Sequence, residues 1–215
     1  MDKGFFITFE GGEGTGKTTQ IRLLAEYMQN RGICTVMTKE PGGTAIGQEL
    51  RKMLCTGDKD KFDAVTEALL YYADRRIHVQ QKVLPALAEG KWVISDRFAD
   101  STMAYQYYGY DKRVAKETLE QLYAMAVGDF YPDLTIILDI DPQKGLARSL
   151  KRNDEAAEKE VRFESRELAF HQNLRRGFLE IAQTAPRYVV LDADKSVEEL
   201  HQDVVKIVEE RLISK

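Results

Sequence analysis

The sequence predicts an α/β protein in which a parallel sheet carries helices on both faces. Three observations lead there. A glycine-rich phosphate-loop pattern lies between a short β-prone stretch and a helically patterned one. Strand-like and helix-like stretches then alternate along the whole chain, which calls for crossover connections and a parallel sheet. Residues 134–140 are apolar and β-branched without a period of two, as a central strand covered on both faces requires. At 215 residues and 43% hydrophobic content the chain can bury a full core, so one unit over 1–215 with an inserted lid is expected.

The first strand, residues 5–9, runs into Gly11, Gly12, Glu13, Gly14, Thr15, Gly16, Lys17 and Thr18. Two glycines separated by four residues precede Lys and Thr. The glycines let successive N–H groups turn inward on a polyphosphate, Lys17 supplies a mobile cation, and Thr18 supplies a hydroxyl for magnesium. Ile21, Leu24 and Met28, with Leu23 and Tyr27, then repeat at helical spacing. A helix N-terminus therefore faces the phosphates and adds its partial positive charge. The pattern predicts a bound nucleoside triphosphate with Mg2+.

Gly32 marks a C-cap, and residues 33–38 read as a second strand. It ends at Glu40-Pro41-Gly42-Gly43-Thr44. Loops at the carboxyl ends of such strands face the ligand crevice, although an ordinary strand-to-helix turn fits the segment equally well. Residues 48–54 carry Arg51, and a polar connector covers 56–63. Over 64–83, Glu67, Tyr71, Arg75 and His78 recur at steps of four, four and three and share one helix face. A ring beside a guanidinium suits a nucleobase by stacking and edge hydrogen bonds; a solvated ladder of i,i+4 pairs fits the same residues. Pro85 is expected to kink or end this helix, and Gly90 to close it.

Residues 91–96 read as a buried strand ending in Asp96, the candidate to hold Mg2+ directly or through water. Arg97 follows, suited to bidentate phosphate contact or to a structural pair with Asp96. Residues 100–110 mix hydroxyls, an amide and rings, which suits a flat ligand with polar edges and also a helix start capped by Asp100 or Ser101. A helix over 112–127, the strand over 134–140 and a helix with Pro142 in first position come next. Arg148, Lys151, Arg152 and Arg162 then lie among Asp154, Glu155, Glu158 and Glu160. Such a segment fits a lid that brings arginines over a transferring phosphate, or a solvated helical hairpin. A helix over 163–182, a strand over 188–192 and a helix over 197–212 complete the pattern.

Composition excludes several classes. The 31 Lys and Arg against 35 Asp and Glu argue against a general nucleic-acid binder or a nucleic-acid-dependent ATPase. No apolar run approaches membrane-spanning length and no apolar signal segment follows Met1, so a soluble cytoplasmic protein without membrane partners is expected. Cys34 and Cys55 lack CxxC spacing and read as small hydrophobes, and His78, His171 and His201 lack metal-like spacing. No Asn-Lys-x-Asp guanine-reading motif is present, which weighs against a GTPase switch.

In order, and along nearly the full chain, these stretches resemble the thymidylate kinase (dTMP kinase) family. The resemblance rests on the phosphate loop, Glu40 to Thr44, Glu67 through Arg75, Asp96-Arg97-Phe98, Asp100-Ser101-Thr102 with Tyr105-Gln106, and a lid over about 148–164. It implies the P-loop nucleotide kinase fold and the reaction ATP plus dTMP giving ADP plus dTDP, a step of dTTP biosynthesis. It also implies Mg2+ with ATP and a homodimer joined through helices. An acceptor phosphate oxygen is already charged near neutral pH, so positioning and charge neutralisation suffice and no general base is needed.

Carried over position by position, the resemblance puts Lys17 and Thr18 on the ATP phosphates and the metal, and Arg51 and Arg97 on the acceptor phosphate. Tyr71 would stack on thymine, and Arg75 would bond a base carbonyl. Thr102 and Gln106 would lie at the base edge, Tyr105 near the sugar, and Glu13 by the sugar or the reacting phosphates. With Gly14 after Glu13 and no base in the loop before Lys17, the sequence resembles the bacterial type, which supplies cations from the lid. Arg148, Arg152 and Arg162 are then the candidates, Arg148 alternatively packing on adenine. Phe98 replaces the commoner Tyr after Asp-Arg, and Val161 replaces the acid usual before the lid's last arginine.

Overall fold

Five parallel strands, in the spatial order β2-β3-β1-β4-β5, organise the computed structural model. The structure describes residues 4–58, 60–110, 112–154, 163 and 166–214. The strands are β1 (Phe6–Glu10), β2 (Thr35–Lys39), β3 (Trp92–Asp96), β4 (Leu134–Asp139) and β5 (Tyr188–Asp192). Between and after them run α1 (Lys17–Asn30), α2 (Ala45–Cys55), α3 (Ala64–His78), α4 (Leu84–Ala88), α5 (Ala99–Met103), α6 (Lys116–Val127), α7 (Pro142–Asp154), α8 (Leu168–Ile181) and α9 (Val197–Val208).

Alternating side chains of β1 feed two cores. Phe6 joins Val93, Tyr72, Phe98, Leu119 and Phe178 on one face. Ile7 and Phe9 join Ile94, Leu138, Leu24 and Met28 of α1, and Val204 and Val208 of α9 on the other. Every residue of β1 is buried, as expected of a central parallel strand. The predicted parallel sheet with helices on both faces is therefore present. Pairing of Phe9 with Asp96 brings the end of β3 beside the exit of β1, and so beside the phosphate loop.

Three local expectations need correction. Pro85 does not end the helix that starts at Ala64: a π-helical turn, Val79–Val83, intervenes, and α4 continues through the proline. The Leu84 N–H reaches back five residues to the Val79 carbonyl, a widened turn just before a residue that has no N–H to give. Neither Asp100 nor Ser101 caps α5, whose N-cap is Phe98. Glu10, the last residue of β1, takes over instead, accepting from the Phe98 N–H at 2.7 Å and from Ser101 Oγ at 2.5 Å. The helices expected from 112 and 163 begin at Lys116 and Leu168. Among the described residues no helix is long and apolar enough to cross a membrane.

Candidate active site

The phosphate loop is built where β1 ends. Gly11 has φ 128° and Gly14 φ 67°, and a Cβ on either would strike a backbone carbonyl, Leu138 O at 2.3 Å or Gly145 O at 1.9 Å. Only glycine fits such crowding with left-handed dihedrals. Lys17, buried at the start of α1, donates to the carbonyls of Gly12 at 2.8 Å and Gly11 at 3.1 Å. Burial, with Arg97 adding to it, pushes its ammonium down to about 8. Thr18 Oγ1 donates to Asp96 Oδ2 at 2.9 Å. A hydroxyl and a carboxylate at this strand end make an all-oxygen donor pair that suits a hard divalent cation. Among the described residues no cluster of three or more His, Cys, Asp or Glu side chains is placed to hold a metal.

Arg97 joins this loop to the neighbouring cavity. Its φ of 69° is a left-handed conformation that a non-glycine residue holds only under tertiary constraint. The constraints are visible: its N–H bonds Phe9 O at 2.9 Å, Nη1 donates to Gly11 O and Ser101 Oγ at 2.9 and 3.0 Å, and Nη2 donates to Glu13 Oε1 at 2.9 Å. Tyr105 donates its hydroxyl to the same Glu13 oxygen. Burial alone would raise the Glu13 carboxyl, but Arg97 and Lys17 outweigh it and hold the group down at about 2. Behind them, burial and the neighbouring Asp100 push Glu10 up to about 8.

The cavity beyond Arg97 is lined by Glu13, Glu40, Pro41, Arg51, Cys55, Tyr71, Arg75, Arg97, Phe98, Ser101, Thr102, Tyr105 and Phe163. The structure thus brings together Glu13, Arg51, Tyr71, Arg75, Arg97, Thr102 and Tyr105. Arg75 is buried, with Nε on Glu40 Oε2 at 2.8 Å and Nη2 on Thr102 Oγ1 at 2.9 Å. Its Nη1 has no hydrogen-bond partner among the described residues. Arg51 Nη1 donates to the Pro41 carbonyl at 3.0 Å.

Gln106 is a correction: it lies behind the wall, fully buried, its amide on Glu67 Oε2 at 2.9 Å. Glu67 and His78 share the buried face of α3 with Arg75 but do not line the cavity; His78 bonds Glu40 and Thr38 instead. Cys55 and Phe163 were not expected in the wall, whereas Pro41 and Ser101 come from stretches read as facing a ligand, and Phe98 from the Asp96-Arg97-Phe98 stretch, without a role of their own. Phe163 gives no sequence signal, since one ring beside a charged segment reads as packing; it stands edge-on to Tyr105 at 5.2 Å.

The lid arginines divide. Arg148 is turned away from the cavity towards the turn after β5, donating to Ala193 O at 3.0 Å and approaching Asp194. Arg152 belongs to α7, and Arg162 and residues 155–162 lie outside the described residues. A cation that the sequence did not single out, Arg175 of α8, grips Asp139 at the end of β4 through two bonds of 2.7 and 2.8 Å.

The family model described as "Thymidylate kinase" matches residues 9–204. The thymidylate kinase of Magnetococcus marinus is 45% identical over 210 residues, covering 97% of both chains, and that of Caulobacter vibrioides is 44% identical over 213 residues, covering 99% of both. The crystal structure of thymidylate kinase from Ehrlichia chaffeensis superposes with a TM-score of 0.76 at 34% identity, covering 96% of this chain and 99% of that one. A full-length match in sequence and fold, around a phosphate loop that shares Arg97 with a second cavity, makes this chain a member of the thymidylate kinase family.

Proposed function

We propose that the chain carries out its family's reaction, ATP plus dTMP giving ADP plus dTDP, with the two nucleotides meeting at Arg97. The observation that carries this is the contact of one guanidinium with both the phosphate loop, through Gly11, and the cavity wall, through Glu13 and Ser101. On the ATP side, the N–H groups of residues 11–18, Lys17 and the start of α1 hold the phosphates, and Arg148 serves the nucleoside end. Mg2+ would be held by Thr18 and Asp96, directly or through water, and neutralises charge on the phosphate oxygens when bound.

On the acceptor side, Arg51 and Arg97 hold the dTMP phosphate. Tyr71 stacks on the base, Thr102 lies at its edge, and the unpartnered Nη1 of Arg75 donates to a base carbonyl. Tyr105, tied to Glu13, borders the sugar, where crowding disfavours a 2′-hydroxyl. Lys17 and Arg97, with Arg152 of the lid over about 148–164, offset the charge of the transferring group. The acceptor oxygen, already charged near neutral pH, attacks as it stands and needs no general base.

The test is the Lys17→Ala variant. Turnover should fall by about 10²-fold or more, as for loss of one preorganised charge contact, while calorimetry finds dTMP affinity within about twofold of wild type. Wild-type turnover would refute the role of Lys17.

A homodimer fits the exposed apolar residues of two packed helices, Val65 and Leu69 on α3 and Met125 on α6, the last 81% exposed. Light scattering should then give twice the chain mass of 24.5 kDa. A cytoplasmic location agrees with the two free cysteines.

A further inference from the structure

The Glu40-Pro41-Gly42-Gly43-Thr44 motif is prominent in the sequence, yet phosphate chemistry does not account for it. In the fold it is the turn from β2 into α2, and the two arginines at the base and phosphate ends of the acceptor cavity both bond to it. Arg75 Nε donates to Glu40 Oε2 at 2.8 Å, and Arg51 Nη1 donates to the Pro41 carbonyl at 3.0 Å.

The turn is in its own right clamped from α3. Asp74 Oδ1 accepts from the Gly42 N–H at 3.2 Å, and His78 Nδ1 bonds Glu40 Oε1 at 2.6 Å. The far side of the ring, Nε2, meets Thr38 Oγ1 at 2.7 Å, anchoring His78 to the end of β2. A carboxylate oxygen accepts only, so Nδ1 carries a hydrogen and donates it to Glu40, while Nε2 shares a hydrogen bond with the Thr38 hydroxyl. Gly43 completes the clamp: a Cβ there would lie 2.3 Å from His78 Cδ2 and 2.8 Å from Thr38 Oγ1, so the turn closes onto the ring only without a side chain.

These groups are buried, Arg75 at 1% exposure, Glu40 at 3% and His78 at 0%. A guanidinium in such a place is oriented by its partners, because unbonded donors are costly there. Glu40 and Thr102 fix two of the three nitrogens of Arg75 and leave Nη1 over. Glu40, in turn, spends its second oxygen on His78, which does not line the cavity.

We propose that Glu40 and His78 are positioning residues for the acceptor nucleotide: His78 fixes the Glu40 carboxylate, and the turn that Glu40 begins sets Arg75 at the base edge and Arg51 at the phosphate. This rests on the assignment of Arg51 and Arg75 to dTMP.

The experiment measures dTMP affinity by calorimetry, KM for dTMP and for ATP, and thermal melting, for His78→Leu, His78→Asn, Glu40→Gln and Arg75→Ala. His78→Leu and Glu40→Gln should each weaken dTMP by about tenfold or more, the size of one lost charge-assisted bond, and leave KM for ATP within about twofold. His78→Asn, whose amide can still donate to Glu40, should recover dTMP affinity to within about threefold. A melting temperature that drops while dTMP affinity stays at the wild-type value would mean a purely structural clamp and overturn the proposal. Failure of both His78→Leu and the isosteric Glu40→Gln to fold would do the same. Unchanged dTMP affinity in Arg75→Ala would instead remove Arg75 from the acceptor site, which distinguishes an error in the underlying assignment from an error in the positioning role.

Discussion

Glu10 shows how much of this site is set by groups that never line it. Its carboxyl joins the end of β1 to the backbone of Phe98 and to Ser101, the same hydroxyl that receives Arg97. Burial and Asp100 raise it from an ordinary 4.5 to about 8. Between those two values the folded protein keeps a proton that the unfolded chain has released, so stability from this group falls as pH rises through the window. Melting curves of wild type and Glu10→Gln should therefore diverge, the variant gaining a few degrees relative to wild type between pH 5 and pH 8. A difference that is flat with pH would show that Glu10 titrates normally. At this scale, Lys17, Thr18 and Asp96 were legible because loop spacing is local and the acid closes a strand. Gln106 and His78 were not. The face carrying Glu67 to His78 is about 16 Å long, longer than one ligand needs, and its ends are covered by other elements. Gln106 and Tyr110 take Glu67 at one end, and Glu40 and Thr38 take His78 at the other.

Among the elements, the β2–α2 turn and the long helix from Ala64 to Ala88 depend on each other. Thr44 caps α2 by accepting from the Gly47 N–H at 3.1 Å, as its residue type suggests. The closeness of Gly43 to His78 comes from tertiary packing, and no local pattern announces it. Gly43→Ala should cost about 1–3 kcal/mol by overpacking and weaken dTMP along with stability, as urea unfolding and calorimetry would read. Equal stability would show that the clamp has slack. The passage of the helix through Pro85 was hidden for a similar reason: a proline predicts trouble for the helix, and the π-helical turn that absorbs it is chosen by the buried packing of Val79 and Val83. The start of α5 reads as self-capped by Asp100, yet Asp100 bonds Tyr188 and Arg187 across the molecule, and Glu10 provides the acceptor.

For the whole molecule, alternation of strand and helix gave away the parallel sheet, while the spatial order of the strands is not written in any one stretch. That order matters for the chemistry. With β3 next to β1, Asp96 comes to Thr18 and Arg97 to Glu13, and the phosphate loop becomes one wall of a cavity whose opposite wall comes from the β2–α2 turn and α3. The proposed donor and acceptor sites are then adjacent by topology. The most direct measurement is the initial rate of ADP formation with ATP, Mg2+ and each nucleoside monophosphate in turn at equal concentration. A clear preference for dTMP is the predicted result. Faster transfer to dCMP or dGMP would contradict the base pocket drawn around Tyr71 and Arg75, and no transfer to any acceptor would contradict the two-nucleotide site itself.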